Sequence, residues 1–170
     1  MTRRFVVLCL INVALMGTTI AQRTQKSGSE AAFEQLSSLV GEWKSTHNGA
    51  EITLTYKLTA DGSALMEEFR PANQPVMVTM FSVDGDHLVA THYCSAGNQP
   101  QMATGPISAA RENVVSFSLV RITGMKTPGD WHNTGLEVRL EDRDHFTQNW
   151  TWMDHGKSGT TVFHFTRTKT

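Results

Sequence analysis

Residues 76–102 read VMVTMFSVDGDHLVATHYCSAGNQPQM, and the first part of this stretch carries a clear β-hairpin pattern. Two runs rich in β-branched and other apolar residues, 76–83 and 87–94, lie on either side of Asp84-Gly85. Asp-Gly between two such runs is a strong hairpin signal, because both residues tolerate positive φ. The stretch therefore predicts two antiparallel strands, followed by a turn-rich segment over residues 95–99.

Strand-like runs separated by turns also occur before and after this hairpin. Alternating runs over residues 52–58 and 64–70 flank Asp61-Gly62. Further strand-like runs occur at residues 114–121, 134–141, 145–153 and 160–168. With the β pattern that begins at Trp43, around nine strands in sequential hairpins predict an all-β protein, a single up-and-down antiparallel β-barrel of about eight to ten strands. Closure of the barrel would remove the sheet edges that such a chain otherwise exposes. A β-sandwich of the same strands is the main alternative.

A short amphipathic helix is predicted before the first strand. Apolar side chains recur at spacings of three and four in residues 30–41, EAAFEQLSSLVG, and Gly41 is a natural helix stop. Residues 22–29 are polar and contain Gly and Ser, so we expect a disordered leader there. The predicted barrel domain is residues 30–170.

The first residues of the chain have the pattern of a secretory signal peptide. Arg3 and Arg4 precede an apolar run over residues 5–16, and a small residue, Ala21, follows. The run is short for a membrane span. We therefore expect cleavage after Ala21, which removes residues 1–21. The mature protein would be exported, periplasmic or secreted, with no integral membrane segment. A signal peptide retained as a membrane anchor is the alternative.

Cleavage would also change the charge and the cysteine content. Of 15 basic and 16 acidic residues, two basic ones would be lost, and 13 against 16 gives a formal charge near −3. A nucleic-acid partner is not expected, because it requires a basic surface. Cys94 would remain as the single thiol after loss of Cys9, so an ordinary core must stabilise the domain without an internal disulfide.

The Gly-Glu-Trp tripeptide at residues 41–43 stands between the predicted helix and the strands, and this order resembles the lipocalin or calycin pattern. In that superfamily a Gly-x-Trp on the first strand closes the barrel floor. Residues 33–167 also resemble small exported bacterial calycin-like proteins of unassigned function. The resemblance implies a barrel with a cavity for a small molecule. One calycin branch, the nitrobindins, holds haem through a histidine near the C-terminal end, and His155 and His164 lie in that region.

The hairpins predict which side chains share a face. With Asp61-Gly62 as a two-residue loop, Tyr56 lies opposite Glu67 on the apolar face, where a carboxylate needs a partner. With Asp84-Gly85 as a two-residue loop, Val83 pairs with Asp86. His92 and Cys94 then share the inward face, and Tyr93 points outward.

The last three runs have the clearest inward face. Leu136, Val138 and Leu140 alternate with charged residues. Matching this face across a three-residue loop at residues 142–144 turns four side chains inward: Phe146, Gln148, Trp150 and Trp152. In the final run Phe163 and Phe165 point inward, which leaves His164 outward.

The hypothesis that we favour is a non-catalytic exported protein that binds a small, mostly apolar ligand inside the barrel. The longest predicted loop, residues 123–133, carries Trp131 and His132, which are placed to gate a pocket mouth. The residues indicate no particular cofactor and leave the oligomeric state open. The predicted ligand-binding residues are Tyr56, Glu67, His92, Cys94, Gln148, Trp150 and Trp152.

Three other hypotheses remain open at this point. One is a hydrolase-like enzyme with Cys94 as nucleophile, His92 as base and Glu67 as orienting acid. Against it, residues i and i+2 of a strand lie about 6–7 Å apart at the backbone, which is long for a direct hydrogen bond. A metal or haem site is the second; His132 could add a ligand, but no metal-ligand spacing motif is present. The third is a fully packed barrel with a purely structural role.

Overall fold

The computed structural model describes residues 26–108 and 113–169. These residues form one helix and ten strands, and neighbouring strands pair antiparallel in sequence order. The elements are α1 (Gly28–Ser37), β1 (Gly41–His47), β2 (Ala50–Thr59), β3 (Ala64–Pro71), β4 (Met77–Asp84), β5 (His87–Tyr93), β6 (Gln99–Ala103), β7 (Val114–Thr123), β8 (His132–Leu140), β9 (His145–Asp154) and β10 (Lys157–Arg167). Strand β10 also pairs with β1, which closes the barrel. The predicted all-β closed barrel with one short helix is confirmed, and the sandwich is excluded.

Strand β6 is the element that the sequence pattern missed. It is only five residues long and contains Pro100, which lies beyond the part of β6 that pairs with β5. Proline cannot donate to a β ladder, so it is tolerated at such a position. The pairing with β7 also shifts between Gln101 and Met102. A short strand with a proline and an irregular register shows no clear alternation.

Helix α1 covers one end of the barrel. The Ser27 hydroxyl accepts from Glu30 N, and the Glu30 carboxylate accepts from Ser27 N, which is a capping box. The helix therefore begins inside the segment that we predicted to be a disordered leader. Ser29 is fully buried and donates to Gly85 O in the β4–β5 turn (2.7 Å). No helix among the described residues is long and apolar enough to cross a membrane.

The first hairpin has the predicted pairing, with Tyr56 opposite Glu67. Its loop has four residues instead of two, because pairing stops at Thr59 and Ala64. The loop residues Ala60 and Asp61 both have positive φ. The pairing predicted across the loop was correct, although the loop itself is longer.

In the second hairpin Asp84 pairs with His87, so the predicted pairing of Val83 with Asp86 was wrong. Gly85, with φ of 59°, occupies the first loop position, where a type II′ turn has glycine. The two-residue loop therefore lies one residue later in the chain than predicted. Each β4 residue pairs with a β5 residue two positions later than predicted, as Val83 does with Leu88. Because side chains alternate with a period of two, the inward face is unchanged. The β8–β9 hairpin has the predicted register, with Leu140 opposite Phe146.

Trp43 closes the barrel end beneath the helix. Its side chain is fully buried, and its Nε1 donates to Leu39 O (2.7 Å). The Arg167 guanidinium lies 4.0 Å from the centre of the indole, and Phe146 contacts the ring edge-on at 4.7 Å. Arg167 also donates to the carbonyl of Val40 (3.0 Å), just beyond the helix. Trp43 and Arg167 thus pack together beneath the helix at this end of the barrel.

Candidate functional site

A pocket of about 110 Å³, partly open to solvent, lies at the barrel end away from the helix. The helix meets the β4–β5 turn, whereas the pocket is lined by Met77 at the start of β4 and by His92 near the end of β5. Most of the lining is apolar. The lining residues are Glu67, Phe69, Met77, His92, Trp131, Asn133, Trp150, Trp152, Thr161 and Phe163.

The Glu67 carboxyl group is the common acceptor of a buried hydrogen-bond cluster. It accepts from Tyr56 Oη (2.5 Å), Gln148 Nε2 (2.5 Å) and Thr79 Oγ1 (3.0 Å). Burial raises the pKa of Glu67, and these three hydrogen bonds oppose that shift. The pKa of Tyr56 is raised by burial and by the neighbouring Glu67 charge. The carboxylate predicted on the apolar face is thus fully hydrogen-bonded.

His92 extends this cluster toward the pocket. Its Nδ1 lies 2.9 Å from Thr79 Oγ1, so Thr79 stands between His92 and Glu67. The imidazole packs on Trp150, with ring centres 4.7 Å apart. Burial lowers the pKa of His92 to about 4. His92 is therefore neutral at physiological pH.

The structure brings six of the seven predicted ligand-binding residues into one region. Four of them line the pocket: Glu67, His92, Trp150 and Trp152. Tyr56 and Gln148 lie behind Glu67 and contact it. Cys94 is buried but is not among the residues that line the pocket.

The environment of Cys94 does not suit a nucleophile. Its Sγ accepts from Ala96 N (3.5 Å), and no hydrogen bond joins it to His92 among the described residues. Burial raises the pKa of the thiol, whereas a nucleophilic cysteine needs a lowered one. The direct contacts of the alternative enzyme hypothesis are not formed, because Thr79 lies between His92 and Glu67.

The other histidines considered for metal or haem lie outside the pocket lining. His155 is exposed in the β9–β10 turn beside Asp154, and His164 is exposed on β10. His132 Nδ1 lies 2.7 Å from Asp130 O. Within residues 26–108 and 113–169, no three His, Cys, Asp or Glu side chains are grouped to hold a metal ion. Neither His155 nor His164, the histidines to which the resemblance pointed, is thus placed to hold a haem in this pocket.

Sequence reasoning missed Asn133 and Thr161 as lining residues. Thr161 shares its strand face with Phe163, so the alternation that turned Phe163 inward could have found it. Asn133 was assigned to the long loop, but β8 already begins at His132 and has an irregular register between Asn133 and Gly135. A bulge of this kind has no local sequence signal that could have revealed it.

The β7–β8 loop holds Trp131 over the pocket mouth. Buried Asn98 donates from Nδ2 to Trp131 O (2.7 Å), and His155 N donates to Gly129 O (2.8 Å). Trp131 keeps 37% of its surface exposed. The loop is thus fastened to both neighbouring turns, and the indole forms part of the pocket rim.

The fold and the pocket define a closed ten-strand antiparallel barrel that is compatible with ligand binding. No protein-family model and no functionally curated protein matches the sequence. Among solved structures, the chain is similar to Rv2717c from M. tuberculosis, with a TM-score of 0.57 and 13% identity over 81% of this chain and 98% of that one. This likeness shows the fold alone. A protein of unknown function from Nostoc punctiforme, of the DUF3598 family, has a TM-score of 0.42 and 12% identity over 79% of this chain and 49% of that one.

The neutral state of His92 predicts a loss of stability in acid. Its pKa is about 4 in the folded barrel and about 6.5 in an unfolded chain, so the unfolded chain binds the extra proton between these values. The stability that depends on neutral His92 is fully present above pH 6.5. As the pH falls to 4, the free energy of unfolding decreases by about 3 kcal/mol. Urea unfolding of the parent and of His92→Gln across this range measures the difference. Glu67, whose raised pKa acts in the opposite direction, is present in both proteins. Equal pH slopes for the two proteins would refute the expectation.

A second prediction concerns Gly159, which pairs with Trp152 across β9 and β10. A Cβ atom at position 159 would overlap the Trp152 indole, which rests on the glycine backbone. We expect Gly159→Ala to lower the free energy of unfolding by about 1–3 kcal/mol, as overpacking does. The penalty should vanish in a Trp152→Ala background, which a double-mutant cycle measures. Gly105→Ala is the control, since no described atom lies within 4 Å of its added Cβ.

Proposed function

We propose that this protein is a calycin-like binding protein for a small, mostly apolar molecule, held in the pocket at the open end of the barrel. The observation that carries the proposal is the pocket itself, about 110 Å³ in volume, with apolar walls and a hydrogen-bonded polar group at its inner end. Apolar walls with a few placed polar groups are the usual composition of ligand sites. The pocket is partly open to solvent at the barrel end away from the helix.

The pocket volume limits the size of the ligand. A cavity of about 150 Å³ with apolar walls binds benzene, whereas pockets for drug-sized ligands have about 300–1,000 Å³. The present pocket, about 110 Å³ and open on one side, suits a single ring that extends toward the mouth. The proposed ligand is one ring, or a longer molecule with one ring-sized end.

Two experiments test this proposal. Native mass spectrometry of the purified protein should show a co-purified small molecule. Titration of the parent protein with benzene or phenol, followed by ¹H–¹⁵N NMR, should shift signals of the lining residues with dissociation constants on the order of 0.1–1 mM.

A matched pair of variants provides the control. Thr161 lines the pocket, and its neighbour Val162 faces outward on the same strand with 41% of its surface exposed. Thr161→Phe should fill the pocket and abolish binding, whereas Val162→Phe should leave binding unchanged. If both variants bind as the parent does, or if the parent shows no shifts at millimolar probe, the proposed function is wrong.

We also propose that the protein is exported, with removal of residues 1–21, which lie outside the described residues. The support is the order of Arg3 and Arg4, the apolar run and the small residue Ala21. Expression of the full chain in a bacterial host and mass measurement of the extracytoplasmic fraction should give a protein that begins at Gln22. An intact chain confined to the cytoplasm would count against export.

A further inference from the structure

The donor and acceptor roles in the hydrogen-bond cluster beside the pocket can be assigned one after another, starting from Trp150. An indole N–H can only donate, and Trp150 Nε1 donates to Gln148 Oε1 (2.9 Å). The amide of Gln148 must therefore turn its Nε2 toward Tyr56 Oη (2.8 Å) and Glu67 Oε2 (2.5 Å). One group of known polarity thus sets the orientation of the amide.

The direction passes from Gln148 to the carboxyl group. Because Tyr56 Oη already accepts from Gln148, its own proton is directed to Glu67 at 2.5 Å. Thr79 Oγ1 donates to the other oxygen of Glu67 at 3.0 Å. Glu67 thus receives three donors, which suits the ionised carboxylate as an acceptor-only group.

The last group in this series of donors and acceptors is His92. With Glu67 ionised, Thr79 uses its one hydroxyl proton on that carboxylate, so its oxygen must accept from His92 Nδ1 (2.9 Å). The neutral imidazole then carries its proton on Nδ1 and has a lone pair on Nε2. That nitrogen makes no hydrogen bond to any described residue, and His92 is one of the residues that line the pocket.

We propose that His92 Nε2 is a fixed hydrogen-bond acceptor in this pocket, and that the pocket selects ring ligands with an O–H or N–H donor, such as phenols and N–H heteroaromatics. The inference rests on the proposed binding function and adds the chemical class of the ligand. The lining residues Asn133 and Thr161 can each donate or accept, so they do not impose this choice. The Glu67 oxygens are already engaged by three donors.

A panel of three rings of equal size tests the proposal at pH 7.5, where His92 is neutral. Benzene has no polar group, pyridine accepts, and phenol donates. By NMR titration of the parent protein, phenol should bind about five- to tenfold more tightly than benzene, and more tightly than pyridine. His92→Leu should abolish the preference for phenol over benzene, whereas Val162→Phe, on the outer face of β10, should keep it.

The position of the ring proton can be measured without any ligand. In protein labelled with ¹⁵N at histidine, the His92 signals should show the proton on Nδ1 and a bare Nε2. A proton on Nε2 would overturn the inference.

The outcomes of the titration separate the two proposals. If benzene binds as tightly as phenol, or pyridine binds more tightly, the binding function stands and the donor selectivity is wrong. If none of the three rings binds, both proposals fail. A phenol preference that persists in His92→Leu would also overturn the role of His92.

Discussion

Replacement of Trp43 by alanine is expected to lower the free energy of unfolding by about 4 kcal/mol. Removal of a fully buried tryptophan costs about 3–5 kcal/mol through lost burial and the cavity left behind. The change also leaves Leu39 O without its donor and removes the ring beneath Arg167. Urea unfolding at constant pH measures the effect.

Two variants show which part of Trp43 matters. Trp43→Phe keeps an aromatic ring but loses the N–H, so its cost should be smaller, about 1–3 kcal/mol. Trp131→Ala removes an indole that is 37% exposed at the opposite end and should cost less than about 1 kcal/mol. Similar losses for Trp43→Ala and Trp131→Ala would show that the packing of Trp43 beneath the helix is not a main source of stability.

The second large effect is expected for Gln148→Glu. The change is nearly isosteric, but it replaces the donor to Glu67 by a second carboxyl group in a fully buried site. Two carboxylates at hydrogen-bond distance cannot both be ionised without a large penalty. At pH 8 we expect a loss of about 3–5 kcal/mol, similar to that of breaking a buried ion pair.

The pH dependence of this variant follows from the same contact. One carboxyl of the pair has its pKa raised in the folded state, so the folded protein binds more protons than the unfolded chain. The loss should therefore shrink from pH 8 toward pH 5, where a protonated carboxyl can donate as the Gln148 amide does. Gln74→Glu, on the exposed β3–β4 loop, adds the same charge without burial and should be nearly neutral at both values. A loss that does not change with pH would argue against shared protonation.

Much of the local structure could be predicted because strand alternation and turn chemistry act over a few residues. The contact between Tyr56 and Glu67 followed from one hairpin, and the inward face of Gln148 followed from the alternation in β8 and β9. Even the one-residue error at Asp84-Gly85 left His92 on the inward face, because the pairing shifted by two. Strand β6 was missed because Pro100 and a register shift interrupt its pattern.

The contacts that make the candidate site were beyond local reasoning. Thr79 lies opposite Glu67 through the pairing of β3 with β4, and no tight turn between those strands sets that register. Gln148 meets Glu67 across 81 positions of sequence. Neither contact has a signal within its own segment.

By itself, then, the sequence determined the order of most strands and turns and the up-and-down antiparallel barrel. It also determined that the side chains of Glu67, His92 and Gln148 point inward. The tertiary structure alone decided that Thr79 links His92 to Glu67, that Cys94 lies outside the pocket lining, and that a pocket opens at the barrel end away from the helix. The physical reason is that side-chain direction follows from a local period of two, whereas meeting across the barrel requires all ten strands to close. Closure converts separate inward-facing residues into one directed hydrogen-bond cluster at the inner end of a pocket.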